Sequence, residues 1–164
     1  MNLGYTIRAC GRDDQTAIFA IINDSAKAYR SVIPADRSHE PYMPLNELHK
    51  EIDEMTFFAY EENGMLGVVG YQPVKDVTLV RHLYVLLEYQ RRGIGKKLLE
   101  HVISVAKTRR ILVGTWGAAA WAIRFYEKNG FKLLQNKDEL LRNYWNVPER
   151  QIELSVVLGL EKSV

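Results

Sequence analysis

Val85-Leu86-Leu87-Glu88-Tyr89-Gln90-Arg91-Arg92-Gly93-Ile94-Gly95-Lys96-Lys97 is the stretch that decides the fold, because the hydrophobic period changes within it from two to 3.6 residues. Upstream, Val77 to Leu87 is a long β-prone run that carries His82 and Tyr84 on one face and Leu83 and Val85 on the other. Downstream, Ile94, Leu98, Leu99, Val102, Ile103 and Ala106 make one helical stripe, with Lys96, Lys97, Glu100, His101 and Lys107 opposite. A helix that begins straight after such a loop has first-turn N–H groups without intrahelical acceptors, and glycines let the backbone approach an anion closely. Arg91, Arg92, Lys96 and Lys97 add positive charge, with no acidic residue between positions 91 and 97. A diphosphate suits that combination.

Working outward, Tyr5, Ile7 and Ala9 alternate with polar neighbours as a short strand ended by Gly11. After Asp14, the residues Ile18, Ile21, Ile22 and Tyr29 fall on one stripe, a helix of about four turns that stops before Pro34. The Pro34 to Pro44 stretch reads as an irregular loop, and Leu45 to Met55 as a second helix. Thr56 to Glu61 and Met65 to Gln72 are strands joined through Asn63-Gly64, a strong hairpin signal. Beyond the central helix come a strand from Arg110 to Thr115, a helix from Ala119 to Asn129 closed by Gly130, and a strand from Phe131 to Leu134. A short helix over Lys137 to Tyr144 and a last strand over Gln151 to Leu160 complete the chain. The order implies a mixed α/β (α+β) fold around a mostly antiparallel sheet, with residues 1–164 forming one domain.

The 164 residues suffice for a real core, and 47% hydrophobic with 26% charged is ordinary globular composition. Twenty-two Lys and Arg against 20 Asp and Glu leave a net charge of +2, too small for a domain-wide nucleic-acid footprint, so any anion site is local. A single cysteine, Cys10, excludes an intrachain disulfide and fits a reducing compartment. No leader-like apolar stretch and no run near the roughly 18 apolar residues of a membrane span is present, so a cytoplasmic protein without membrane partners is expected. His39, His49, His82 and His101 lack metal-ligand spacing and read as surface residues, so no metal is expected.

Spacing discriminates among phosphate loops. A Walker loop needs glycine where Gln90 stands and a hydroxyl where Lys97 stands, while a dinucleotide fingerprint needs glycine at Leu98. What remains is Gln-x-x-Gly-x-Gly after a long strand, which resembles the acetyl-CoA site of the GNAT superfamily of N-acetyltransferases. A second segment, Ala122-Ile123-Arg124-Phe125-Tyr126-Glu127-Lys128-Asn129-Gly130-Phe131, is similar to that family's Ala-Ile-x-Phe-Tyr-Glu-Lys-x-Gly-Phe. The order of elements also resembles the whole GNAT fold, a three-layer domain with a central twisted sheet flanked by helices.

The resemblance implies acetyl-CoA as cosubstrate and direct attack by an amine in a ternary complex. Its diphosphate would lie on the loop formed by Gln90, Arg91, Arg92, Gly93, Ile94, Gly95 and Lys96. The pantetheine arm would pair like a strand with Leu83, Tyr84 and Val85, and Ala119, Ala122 and Phe125 would complete the cofactor contacts. Ala119 stands where the family often has Asn, and Leu87 where it often has Pro, so one side-chain contact to pantetheine is expected to be missing. Tyr126 is the candidate acid: a phenol with pKa near 10 is protonated at neutral pH and can donate to a thiolate.

For the base, His82 occupies the strand position where many relatives have Glu, although a lone histidine on a sheet is also a common structural residue. Ribosomal-protein acetyltransferases place a glutamate in the following strand, but the corresponding position here is Gly114. The acceptor is a small-molecule or peptide amine. Glu40, Glu47, Glu51 and Glu54 lie on the segment that usually covers it, but carboxylates spaced i, i+4 on a helix read as a solvated face. Tyr42, Tyr144, Trp145, Trp116 and Trp121 either line that region or pack. Pairing through the last strands, common among relatives, leaves room for a homodimer. The rival reading is a non-catalytic acyl-CoA-binding or regulatory module; nucleic acid ranks last among partners.

Overall fold

The computed structural model describes residues 4–37 and 40–163. It contains strands β1 (Thr6–Ala9), β2 (Thr56–Glu61), β3 (Met65–Val74), β4 (Val77–Val85), β5 (Arg110–Trp116), β6 (Lys132–Leu133) and β7 (Ser155–Glu161). The α-helices are α1 (Gln15–Ser25), α2 (Leu45–Glu54), α3 (Ile94–Val105), α4 (Ala120–Lys128), α5 (Lys137–Tyr144) and α6 (Glu149–Ile152). The chain divides into two compact units, Met1–Gln72 with Arg81–Val105, and Pro73–Val80 with Ala106–Val164.

In the first unit the strand order is β1-β2-β3-β4, with β1 antiparallel to β2 and β2 antiparallel to β3. The hairpin forms where Asn-Gly demands it: Asn63 and Gly64 have φ of +56° and +118°, values that fit the twist between two antiparallel strands. Helices α1 and α2 cover this sheet through Ile18, Ile21, Ile22, Met43 and Leu48, packed with Phe57 and Val68. The helical turn after α1 continues as 3-10 geometry over Ala26–Tyr29, which accounts for the apolar stripe reaching Tyr29.

Helix α3 packs against β3 at Gly67, where a side chain would have no room. A Cβ there would stand 3.1 Å from Ile94 Cγ2, 3.1 Å from Leu98 Cδ1 and 3.2 Å from the Tyr84 carbonyl. Gly67→Val is therefore expected to lower stability by about 1–3 kcal/mol through overpacking, with Gly67→Ala doing less. Thermal unfolding checks this: an unchanged midpoint for the valine variant would mean that α3 is not seated on β3.

In the second unit the order is β4-β5-β7-β6. The first residues of β4 run parallel to β5, from Val77 opposite Arg110 to Val80 opposite Val113. β7 is antiparallel to both β5 and β6. Val77, Leu79, Leu112 and Val157 pack with Leu140, Leu141 and Ile152 from α5 and α6. Several boundaries differ from the sequence expectation by a residue or more, and two of the differences have a local cause. The last strand starts at Ser155, because Pro148 opens a short helix whose Ile152 N–H bonds the Pro148 carbonyl. β4 stops at Val85, because Leu87–Tyr89 curl into a 3-10 turn with the Tyr89 N–H on the Leu86 carbonyl.

Candidate active site

The strand-loop-helix segment is built from local constraints. As β4 ends, the Leu86 N–H donates to the Leu66 carbonyl, and the Leu87 N–H to Asp24 Oδ2 at 2.9 Å, tying the start of the loop to α1. Gln90 folds its side chain back, Nε2 donating to the Val85 carbonyl at 3.2 Å, so this residue braces the loop. The backbone then turns at Arg91 and Gly93, with φ of +66° and +81°. The first helical bond of α3 runs from the Lys97 N–H to the Gly93 carbonyl, which leaves the N–H groups of Ile94, Gly95 and Lys96 ahead of it in the first turn. Left-handed residues beside a helix N-terminus form a concavity of N–H dipoles suited to phosphate.

The basic residues divide. Arg92 lies 3.7 Å from Glu62 and 5.4 Å from the Tyr89 ring, and Lys96 lies 3.8 Å from Glu100; Arg92 and Lys96 are more than half exposed. Lys97 instead places its ammonium 4.5 Å from the Tyr5 ring, which stacks on Tyr60 at 4.8 Å. Lys97 thus serves cation–π contacts with Tyr5, just ahead of β1, and with Tyr60 of β2, whose ring is 5.8 Å away.

On β4, His82 is buried, with 9% of its surface exposed, and it stacks on Phe57 at 5.8 Å. Its Nε2 lies 2.9 Å from Glu51 Oε2 of α2, and the other Glu51 oxygen is 3.8 Å from Arg81. Burial pushes the Glu51 carboxyl up, but the His82 hydrogen bond and the nearby positive charge outweigh it and hold the group below the ordinary carboxylate range. His82 Nδ1 is buried and has no hydrogen-bond partner among the described residues. Tyr84, two residues on, places its ring 6.2 Å from His82 and 6.5 Å from Tyr42. Leu83 and Tyr84 are half-buried, and Val85 is buried.

In the second unit, Ala119 is fully buried ahead of α4, and Ala122 and Tyr126 are buried on that helix with Phe125 half-buried. The Tyr126 ring meets Phe125 and Phe131 edge to face at 5.2 and 5.6 Å. A Cβ on Gly114 of β5 would lie 3.5 Å from the Trp145 indole, so Trp145 packs over the position where a carboxylate was sought. Tyr144 donates to Asp76 at 2.6 Å. Cys10 is half-buried, and burial pushes its thiol up to about 11, which removes the nucleophilic thiolate at neutral pH.

Residues 53–133 match the model of the acetyltransferase (GNAT) domain. The ribosomal protein bS18-alanine N-acetyltransferase of Escherichia coli K12 is 30% identical over 112 residues, 65% of this chain and 72% of that protein. The chain belongs to the GNAT superfamily. That places it among the acetyl-CoA-dependent acyltransferases. The Salmonella typhimurium enzyme of the same description is 37% identical over 97 residues, 57% of this chain and 62% of its own length. Among solved structures, a PaiA N-acetyltransferase of Thermoplasma acidophilum in complex with coenzyme A shares the GNAT fold with a TM-score of 0.75 at 17% identity, covering 99% of this chain and 100% of its own. The Escherichia coli ribosomal-protein-S18-alanine N-acetyltransferase does so with 0.70 at 21% identity, over 98% and 95%.

Against the GNAT expectation from sequence, two readings need correction. Glu51 does not belong to a solvated face: it is 9% exposed, while Glu47 and Glu54 on the same helix are exposed. Its spacing held the signal, since Glu51 lies three residues after Leu48 and four before Met55, on the apolar stripe. Nor is His82 a surface residue, and His101 is only partly exposed. The His101 ring meets Phe58 edge-on at 4.3 Å, with a buried Nε2. His39 lies outside the described residues, and among the described residues no group of three His, Cys, Asp or Glu could hold a metal ion. No helix among them is long and apolar enough to cross a membrane.

Proposed function

We propose that this chain is a cytoplasmic N-acetyltransferase that moves an acetyl group from acetyl-CoA to a primary amine by direct attack in a ternary complex, both units acting as one catalytic domain. The loop that reverses at Arg91 and Gly93 and opens α3 carries this reading, because it offers successive N–H groups and flanking cations to a diphosphate. Gln90, Arg91, Arg92, Gly93, Ile94, Gly95 and Lys96 would hold that end of the cosubstrate. Leu83, Tyr84 and Val85 would face the pantetheine arm, with Ala119, Ala122 and Phe125 contributing apolar contact.

Chemistry then needs a base for the amine and an acid for the thiolate. His82 takes the first role and Tyr126 the second: the amine nitrogen bonds to the thioester carbon, the C–S bond breaks, His82 takes the amine proton and Tyr126 gives one to sulfur. The raised Cys10 thiol supports direct attack over an acyl-cysteine intermediate. The curated relatives are described as acting on an alanine of ribosomal protein bS18, so a peptide with an N-terminal alanine is the first acceptor to try.

The test is release of the coenzyme A thiol from acetyl-CoA by purified protein in the presence of an amine panel: N-terminal peptides, a lysine peptide, a polyamine and small alkylamines. Thiol release with any of them supports transfer. Binding of coenzyme A without release by any amine would instead favour the acyl-CoA-binding module, and no binding at all would remove the cradle.

A further inference from the structure

We infer that Glu51 is a positioning residue: it locks His82 in the Nε2–H tautomer and so leaves the Nδ1 lone pair as the atom that takes the amine proton. This inference rests on the acetyl-transfer reading and names which carboxylate supports it. A carboxylate only accepts hydrogen bonds, and Arg81, 3.8 Å from the other Glu51 oxygen, favours the ionised carboxylate. At 2.9 Å from Glu51 Oε2, His82 Nε2 must therefore be the donor. A neutral imidazole that donates from one nitrogen carries its lone pair on the other, so Nδ1 is the basic atom. Nδ1 is buried and has no hydrogen-bond partner among the described residues, so its lone pair is not committed to a neighbouring donor.

The ring has little freedom to do otherwise. Phe57 stacks on its face with planes 11° apart, and Arg81 on the far side of Glu51 balances the carboxylate charge. When Nδ1 accepts the proton, the imidazolium forms 2.9 Å from Glu51, which stabilises it without moving. The proton passes from the amine nitrogen to Nδ1, and no other bond changes in this step. His82 and Tyr84 are two apart on β4 and share a face, so the basic nitrogen belongs to the strand that would pair with the pantetheine arm.

The decisive measurement is long-range proton–nitrogen correlation of the imidazole signals in labelled full-length protein, with His82 assigned by its loss in His82→Gln. Wild type should show Nε2 protonated and Nδ1 unprotonated; the opposite tautomer, or a mixture, overturns the inference without needing any variant at position 51. Glu51→Gln should release the lock, giving a mixture, and lower kcat by roughly tenfold to a hundredfold with acetyl-CoA affinity unchanged, a part of what a general base supplies. A purely structural Glu51 would lower the unfolding midpoint and leave kcat per folded molecule intact, which also overturns it. If wild type shows the expected tautomer but acetylates no amine, the acetyl-transfer reading fails and the proton-taking role falls with it, while the tautomer lock stands.

Discussion

Tyr126→Phe is expected to lower turnover about a hundredfold to ten-thousandfold, the range that a well-placed general acid contributes. The leaving thiolate of coenzyme A resembles a cysteine thiolate, whose conjugate acid has a pKa of about 8.5, whereas an ordinary phenol stays protonated to about 10. The proton therefore moves onto sulfur from a donor that neutral solution keeps loaded. The substitution separates the two proposed roles of the side chain, because packing uses the ring and proton donation uses the hydroxyl. Phenylalanine keeps the edge-to-face contacts with Phe125 and Phe131 and the buried seat on α4, and deletes only the hydroxyl. Steady-state kinetics with a responsive amine, together with calorimetric titration of acetyl-CoA, separates the outcomes. A loss in kcat with an unchanged dissociation constant assigns the acid to Tyr126. A variant with full kcat makes Tyr126 a packing residue and sends the search for the proton elsewhere.

The parts of this fold that were legible in the sequence are those where local chemistry leaves the backbone little choice. Asn63-Gly64 forced a hairpin, and Gly93 with the period change at Ile94 marked where a strand becomes a helix. The apolar stripe of α3 was readable because a surface helix must bury one face. The Glu51–His82 pair was not legible, because its two members are 31 residues apart and each obeys a local pattern with a bland explanation. Carboxylates at i, i+4 are usually solvated, and only the coincidence of Glu51 with the Leu48–Met55 stripe marked it as inward-facing. His101 misled for the opposite reason: its place among lysines and glutamate suggested solvent, but Phe58 of β2 projects under that edge of α3. Lys97 was counted with the phosphate-binding cations on proximity in sequence, and the stacked Tyr5 and Tyr60 rings claim it instead. In each case long-range packing decided what a side chain near the site is for.

Gly93→Val tests the cradle without touching any charge. Gly93 has a φ of +81°, which a β-branched residue adopts only at a strain of about 1–3 kcal/mol, whereas a Cβ built there meets nothing within 4 Å. The cost is therefore purely conformational, and the exposed loop at Arg91, Arg92 and Gly93 can relieve it by rotating into an ordinary extended or helical geometry. Relief moves the peptide planes whose N–H groups precede α3, and those planes are what a diphosphate would use. The expected result is coenzyme A affinity weaker by roughly 5- to 150-fold, the strain converted to a ratio, with the unfolding midpoint nearly unchanged. Desulfo or dephospho forms of the ligand that keep the diphosphate should lose the same factor, while the adenosine portion alone, which lacks it, should lose none. If the valine variant binds coenzyme A as tightly as wild type, the left-handed turn at Gly93 is no part of an anion site, and α3 starts where it does for packing reasons alone.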